Sequence, residues 1–174
     1  MLKPKKYICL VLLLNILFSS NTFAHVMVAQ HGTLNFVDQD VYMVLSVPVS
    51  AFKNADDNKD GKLSKHEFDR HHAAIADIVK DKIVMSNAST KLLLQGLMLS
   101  PVTPHDTPNH DASQLVVMGK FELKNPANTL HFTFNLFGET ASEKVIEITA
   151  KNKMEGLKQV ILFTPENTES HLFR

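Results

Sequence analysis

The chain has 174 residues, in which 18 Lys and Arg balance 18 Asp and Glu, with one cysteine and no tryptophan. That balance leaves no basic footprint for a nucleic acid, so none is expected as a partner. The lone Cys9 excludes an internal disulfide, and the length suits one domain stabilised by a hydrophobic core of its own.

Residues 1–24 start with Lys3, Lys5 and Lys6, continue as the apolar run YICLVLLLNILF and end in SSNTFA, where Thr22 and Ala24 stand at the −3 and −1 positions of a signal peptidase site. This is the pattern of a cleaved secretory signal peptide, so the expected location is periplasmic or secreted. The apolar run is short for a membrane span, and no transmembrane segment is expected after cleavage. Cleavage after Ala24 removes Cys9 and three lysines, leaving 15 of the 18 basic residues against 18 acidic ones, a formal charge of −3. Residues 25–174 are then read as one domain.

Along that domain, alternation of apolar and polar residues is the main signal. Thr33 to Val37 reads as a first strand, and Val41, Met43, Leu45 and Val47 mark the buried face of a second. Lys91 to Leu99 reads as a strand, and Ser100 to Ser113, with three prolines, as a long loop. Leu115, Val117, Gly119, Phe121 and Leu123 repeat the alternation, as do Leu130, Phe132, Phe134 and Leu136. Asn125-Pro126-Ala127-Asn128 between those two runs reads as a hairpin loop. Lys144 to Ala150 and Gln159 to Thr164 complete about seven strands. The expected fold is mainly β (α+β): an antiparallel β-sandwich, immunoglobulin-like in strand count, interrupted at about residues 50–83 by a loop and a helix.

That interruption carries most of the chemistry. In DDNKDGKLSKHEF, from Asp56 to Phe68, oxygen-bearing side chains stand at positions 1 (Asp56), 3 (Asn58), 5 (Asp60), 9 (Ser64) and 12 (Glu67), with Gly61 at position 6. A hard cation such as Ca²⁺ takes about six to eight oxygens, so a loop that binds it must curl and aim alternate side chains inward. Gly61 allows the sharp turn, because a residue without Cβ takes positive φ at little cost. Ser64-Lys65-His66-Glu67 overlaps this pattern as a capping box, which starts a helix. Phe68, Ile75, Ile78, Val79 and Ile83 recur at helical spacing, so a helix is expected from about Lys65 to about Lys82.

Residues 52–68 resemble an EF-hand. The resemblance implies Ca²⁺ as the cofactor, held by the side chains of Asp56, Asn58 and Asp60, the backbone carbonyl of Lys62, Ser64 directly or through water, and the bidentate Glu67 carboxylate. It also accounts for Phe52 and Phe68 as aromatic core residues flanking the loop. The chain departs from the family in two ways: Pro48 leaves at most about two turns for an incoming helix, and the pattern occurs once, whereas EF-hand sensors work in pairs. A single site reads as a structural lock with an affinity of about 10⁻⁴ to 10⁻³ M. On that reading Glu67→Gln lowers thermal stability only when calcium is present.

A rival site uses histidine. Cleavage after Ala24 makes His25 the new N-terminus, where amine and imidazole together suit Cu(II), and His31, His105 and His110 could complete an N/O set for copper or zinc. No nucleophile with a base, phosphate-cradling glycine loop or unclaimed carboxylate pair is visible, so the reading leans away from an enzyme. The expected function is an exported calcium-binding protein whose sandwich serves an envelope protein or a polymer. The alternative is a periplasmic copper or zinc carrier.

Overall fold

The computed structural model describes residues 29–88, 90–103, 111–123 and 129–173. Those residues form ten strands and one α-helix: β1 (His31–Val37), β2 (Asp40–Pro48), α1 (Lys65–Lys82), β3 (Ile83–Asn87), β4 (Thr90–Leu92), β5 (Gln95–Val102), β6 (Gln114–Glu122), β7 (Leu130–Phe134), β8 (Ile146–Asn152), β9 (Leu157–Phe163) and β10 (Glu169–Leu172). They make two sheets, one ordered β5-β6-β2-β1-β8-β9 and the other β10-β7-β3-β4. All pairings are antiparallel except β1 with β8, where His31 lies beside Glu147 and Phe36 beside Asn152. The mainly β, sandwich-like expectation is met.

The sheets meet through the residues that the alternation placed inward. Val41, Met43, Leu45 and Val47 of β2 and Leu115, Val117 and Phe121 of β6 are at most 1% exposed. Phe132 and Phe134 of the smaller sheet lie edge-on or tilted against Phe163 of the larger one, with ring centroids 5.9 and 6.0 Å apart. Each such side chain, taken fully out of water, contributes about 1.5–3 kcal/mol, which is the main term favouring the sandwich. Gly119 in β6 leaves room for Leu94; a Cβ there would stand 2.7 Å from a Leu94 methyl and 3.2 Å from the Gln95 carbonyl.

The expected helix forms over Lys65–Lys82. Ser64 caps it through the reciprocal box with Glu67, and Lys80 and Lys82 sit in its last turn, where cations offset the helix dipole. Ile75 and Val79 face the core fully buried, with Phe68 and Ile78 packed at its edge. Ile83 then turns extended and begins β3.

Several connections differ from the sequence expectation. Asn125 to Asn128 is not a hairpin between paired strands, because β6 pairs with β2 and β5 while β7 pairs with β3 and β10; residues 124–128 themselves lie outside the described set. The single strand expected at Lys91 to Leu99 is two, β4 in the smaller sheet and β5 in the larger, with Leu93 and Leu94 carrying the chain across. β5 also runs through Ser100–Val102, which had read as loop. β3 and β10 went unforeseen: one continues an apolar helical pattern without a break, and the other is four residues, three of them polar. The chain thus changes sheets between β2 and β3, and the segment that carries it across is the cation-loop candidate with α1.

Candidate metal centre

A turn of 3-10 helix at Val49–Ala51 follows β2, and the Ala55 amide bonds to the Phe52 carbonyl at 2.9 Å, so the chain coils tightly before Asp56. Phe52 and Ala55 are buried and anchor this approach. The turns leave no regular incoming α-helix, in line with the limit set by Pro48.

From Asp56 the loop is shaped by two residues in the left-handed region, Lys59 at φ 60° and Gly61 at φ 77°. Gly61 takes that conformation freely, whereas Lys59 does so at a cost of about 1–2 kcal/mol. Side chains of the loop meet that cost by accepting its amides. Asp56 takes the Asp60 amide on Oδ1 at 3.2 Å and the Gly61 amide on Oδ2 at 2.8 Å. Asn58 Oδ1 accepts the Asp60 amide at 3.1 Å, and its Nδ2 donates to Asp60 Oδ2 at 3.0 Å. Asp60 Oδ1 accepts the Lys62 amide at 2.8 Å.

Glu67 closes the loop. Its Oε2 accepts the Ser64 hydroxyl at 2.7 Å and the Ser64 amide at 2.9 Å, while Oε1 accepts the amides of Asp57 at 2.9 Å and Asn58 at 3.4 Å. The side chain is 5% exposed, and its partners hold it ionised. The Ser64 hydroxyl and amide, helped by the Asp57 and Asn58 amides and opposed by burial, pull its carboxyl from 4.5 down to about 2. The six residues named from the sequence are therefore joined by one hydrogen-bond network, with Lys62 contributing its amide and Ser64 both its hydroxyl and amide. Every side-chain oxygen of the set is engaged in these bonds; together they are the carboxylate, amide and hydroxyl groups that hard cations prefer.

The carboxylates do not converge on a point. Among the described residues no group of three or more His, Cys, Asp or Glu side chains is placed to hold a metal ion. Of the two Glu67 oxygens, Oε1 faces the Asp57 and Asn58 amides across the loop and Oε2 is held by the hydroxyl and amide of Ser64. That arrangement also revises the expectation for Glu67→Gln, because a carboxylate with four donors supports the loop whether or not calcium is bound.

Three contacts were not legible beforehand. Leu63, 1% exposed, exchanges both backbone hydrogen bonds with Ala112, at 2.8 and 2.9 Å, so the loop is closed by a strand bridge to the segment before β6. Ser113, in the same segment, accepts the Val49 amide at 3.0 Å, so residues 49 and 63, on either side of the loop's first part, are both tied to the two residues that lead into β6. Asp57, the acidic residue not assigned to the cation, reaches α1 instead: Arg70 Nη1 and His71 Nε2 meet its carboxylate at 2.5 and 2.8 Å. Residues 49 and 13 positions apart carry no local signal that they will meet. Beside the loop opens a cleft of about 290 Å³, bordered by Ser50, Phe52, Lys53, Asp56, Lys59 and Glu139.

For the rival site, His25, His105 and His110 lie outside the described residues. His31 is at the start of β1, where its ring meets the Ala29 carbonyl at 2.8 Å and Glu147 at 3.9 Å. No helix among the described residues is long and apolar enough to cross a membrane. No family model matches the chain, and a search of curated proteins finds no match to it. The function must therefore be argued from the site.

Proposed function

We propose that this protein is an exported calcium-binding protein with one EF-hand-type site, in which the metal stabilises the crossover between the two sheets and the sandwich serves as a binding or accessory module in the cell envelope. Export is argued from the signal-like residues 1–24 and calcium from the loop. The observation that carries the reading is the Asp56–Glu67 ring itself. Two left-handed residues and a set of side-chain-to-amide hydrogen bonds curl it, and its ionised closing carboxylate is locked at the start of a helix.

Asp56, Asn58, Asp60, Lys62, Ser64 and Glu67 would hold the ion. Glu67 would exchange its Asp57 and Asn58 amide contacts for the cation while the Ser64 cap kept it in place. Calcium supplies charge here rather than chemistry: it offsets three carboxylates gathered within one turn of chain. The bridge from Leu63 to Ala112 takes the place of a second loop, which favours a structural role over that of a paired sensor.

The test is calorimetric titration of the metal-free protein with Ca²⁺ beside Glu67→Gln and Asp56→Asn. One site of micromolar to millimolar affinity, weakened at least tenfold in both variants, is the expected result. Absence of binding heat in the parent protein overturns the reading, and so does preference for Cu(II) or Zn(II) over Ca²⁺, since oxygen ligands select the hard ion.

A further inference from the structure

The two sheets have four edges, and three are blunted. β4 is only three residues long, Thr90–Leu92, with Lys91 at its centre. β5 is broken by a register shift between Gln95 and Met98 and carries Pro101. β10 is four residues long, and the side-chain amide of Gln159 caps it, donating to the His171 carbonyl at 3.0 Å and accepting the Phe173 amide at 2.7 Å. Short strands, bulges, prolines and covering side chains are the means by which proteins prevent edge-to-edge pairing.

β9 is different. Leu157–Phe163, LKQVILF, is seven residues long without Gly, Pro or an irregularity in its pairing with β8, and Lys158 is its one charge. Leu162 directs its carbonyl away from β8, to the side chain of Asn167 at 3.2 Å. In an antiparallel pair the N–H and C=O of a residue share one side and alternate along the strand, so Lys158 and Val160 present theirs to the same edge, with which no strand of the described residues pairs. Exposed apolar side chains gather at the same place. Of the nine large ones exposed among the described residues, Val145, Met154, Leu157, Val160 and Leu162 lie within or beside the β8–β9 hairpin, with Val160 51% and Leu162 55% exposed.

We propose that β9 pairs antiparallel with β9 of a second copy of this chain, about a two-fold axis at Val160, joining the two larger sheets into one. Val160 is the midpoint of the strand, so this register uses all seven residues. It sets Val160 opposite Val160 and Lys158 opposite Leu162 of the other copy, and it avoids the Lys158–Lys158 opposition of a pairing centred two residues earlier. Each copy gives up one contact, the hold of Asn167 on the Leu162 carbonyl. The edge alone argues for any extended partner. The strand's self-complementary register and single charge argue for a second copy, and the inference is independent of calcium.

Sedimentation velocity of the full chain from 1 to 200 µM, in EDTA and again in Ca²⁺, tests it beside Val160→Lys and Val160→Pro. Lysine sets like charges face to face at the axis. Proline removes an outward N–H that no described hydrogen bond within the monomer uses. The expected result is a monomer–dimer equilibrium whose dissociation constant rises at least tenfold in Val160→Lys. A parent chain that stays monomeric overturns the proposal, and so does a dimer untouched by Val160→Lys, whether or not the proline variant folds. As a positional check, Val160→Cys in a Cys9→Ser background should oxidise to a covalent dimer far faster than Glu155→Cys, and equal rates would also count against it.

Discussion

The chain uses the same four-residue capping pattern twice with different results. Ser64-Lys65-His66-Glu67 opens an 18-residue α-helix, whereas Thr140-Ala141-Ser142-Glu143 opens only a four-residue 3-10 turn before β8. In both, the glutamate returns to the amide of the residue that starts the box, Ser64 at 2.9 Å and Thr140 at 3.0 Å. The residues after each box decide the length: apolar side chains at helical spacing after Glu67, and the alternating Ile146, Ile148 and Ala150 after Glu143. A capping box starts a helix, but burial of a continuous stripe extends it.

The two glutamates also differ in what they hold. Glu67 collects donors from across the loop, while Glu143 accepts the Thr140 amide and the Ser50 hydroxyl at 3.1 Å and so keys the β7–β8 connection to the turn after β2. Burial alone would raise the Glu143 carboxyl, but hydrogen bonds from Thr140, Ser50 and Glu139 outweigh it and hold it below the ordinary value. The largest expected effect is therefore at Glu67. Replacing it with Ala strands the amides of Asp57, Asn58 and Ser64 and should cost about 3 kcal/mol in calcium-free urea denaturation, against about 1 kcal/mol for Glu143→Ala. Equal losses would erase the distinction.

Acid should act on the same carboxylate. Its folded value is lowered, so the stability it provides is complete above about 4.5 and is lost as pH falls through that value toward about 2. Urea midpoints at pH 7, 4 and 3 should fall in the parent and fall less in Glu67→Gln.

The glycines of the two loops sharpen the comparison further. At Gly138 a Cβ would stand 2.5 Å from Ser50 Oγ and 2.6 Å from Glu143 Cβ, so Gly138→Ala should cost about 2 kcal/mol through crowding. At Gly61 nothing lies within 4 Å of a Cβ, and Gly61→Ala should cost about 1 kcal/mol through its positive φ alone. Thermal melts of the pair should rank them in that order. Smallest is Arg70→Ala: its pair with Asp57 is half exposed, and it should change stability by less than about 1 kcal/mol, with the difference shrinking further in 1 M salt.

Much of this protein could be read from its residues because the controlling forces were local or periodic. The inward faces of β2, β6 and β7 follow from alternation, and the helix bounds from a cap and a stripe. The sharp turn at Gly61 could be read from its place in the loop, whereas the positive φ of Lys59 and the hydrogen bonds that curl the loop could not. Sheet membership had no such signal. Whether Thr90–Leu92 and Gln95–Val102 belong to one strand or two, and whether β6 and β7 pair, depends on which backbone edges remain free after the others have paired. The same is true of Leu63 with Ala112 and of Asp57 with Arg70 and His71, which only the folded chain brings together. The sequence by itself determined which residues are buried and where the helix lies; the tertiary structure alone decided how the strands are shared between sheets and what the loop is tied to. The physical reason is that periodicity and capping act over a few neighbouring residues, whereas pairing joins backbone groups that every strand offers alike and is settled only by competition among all of them.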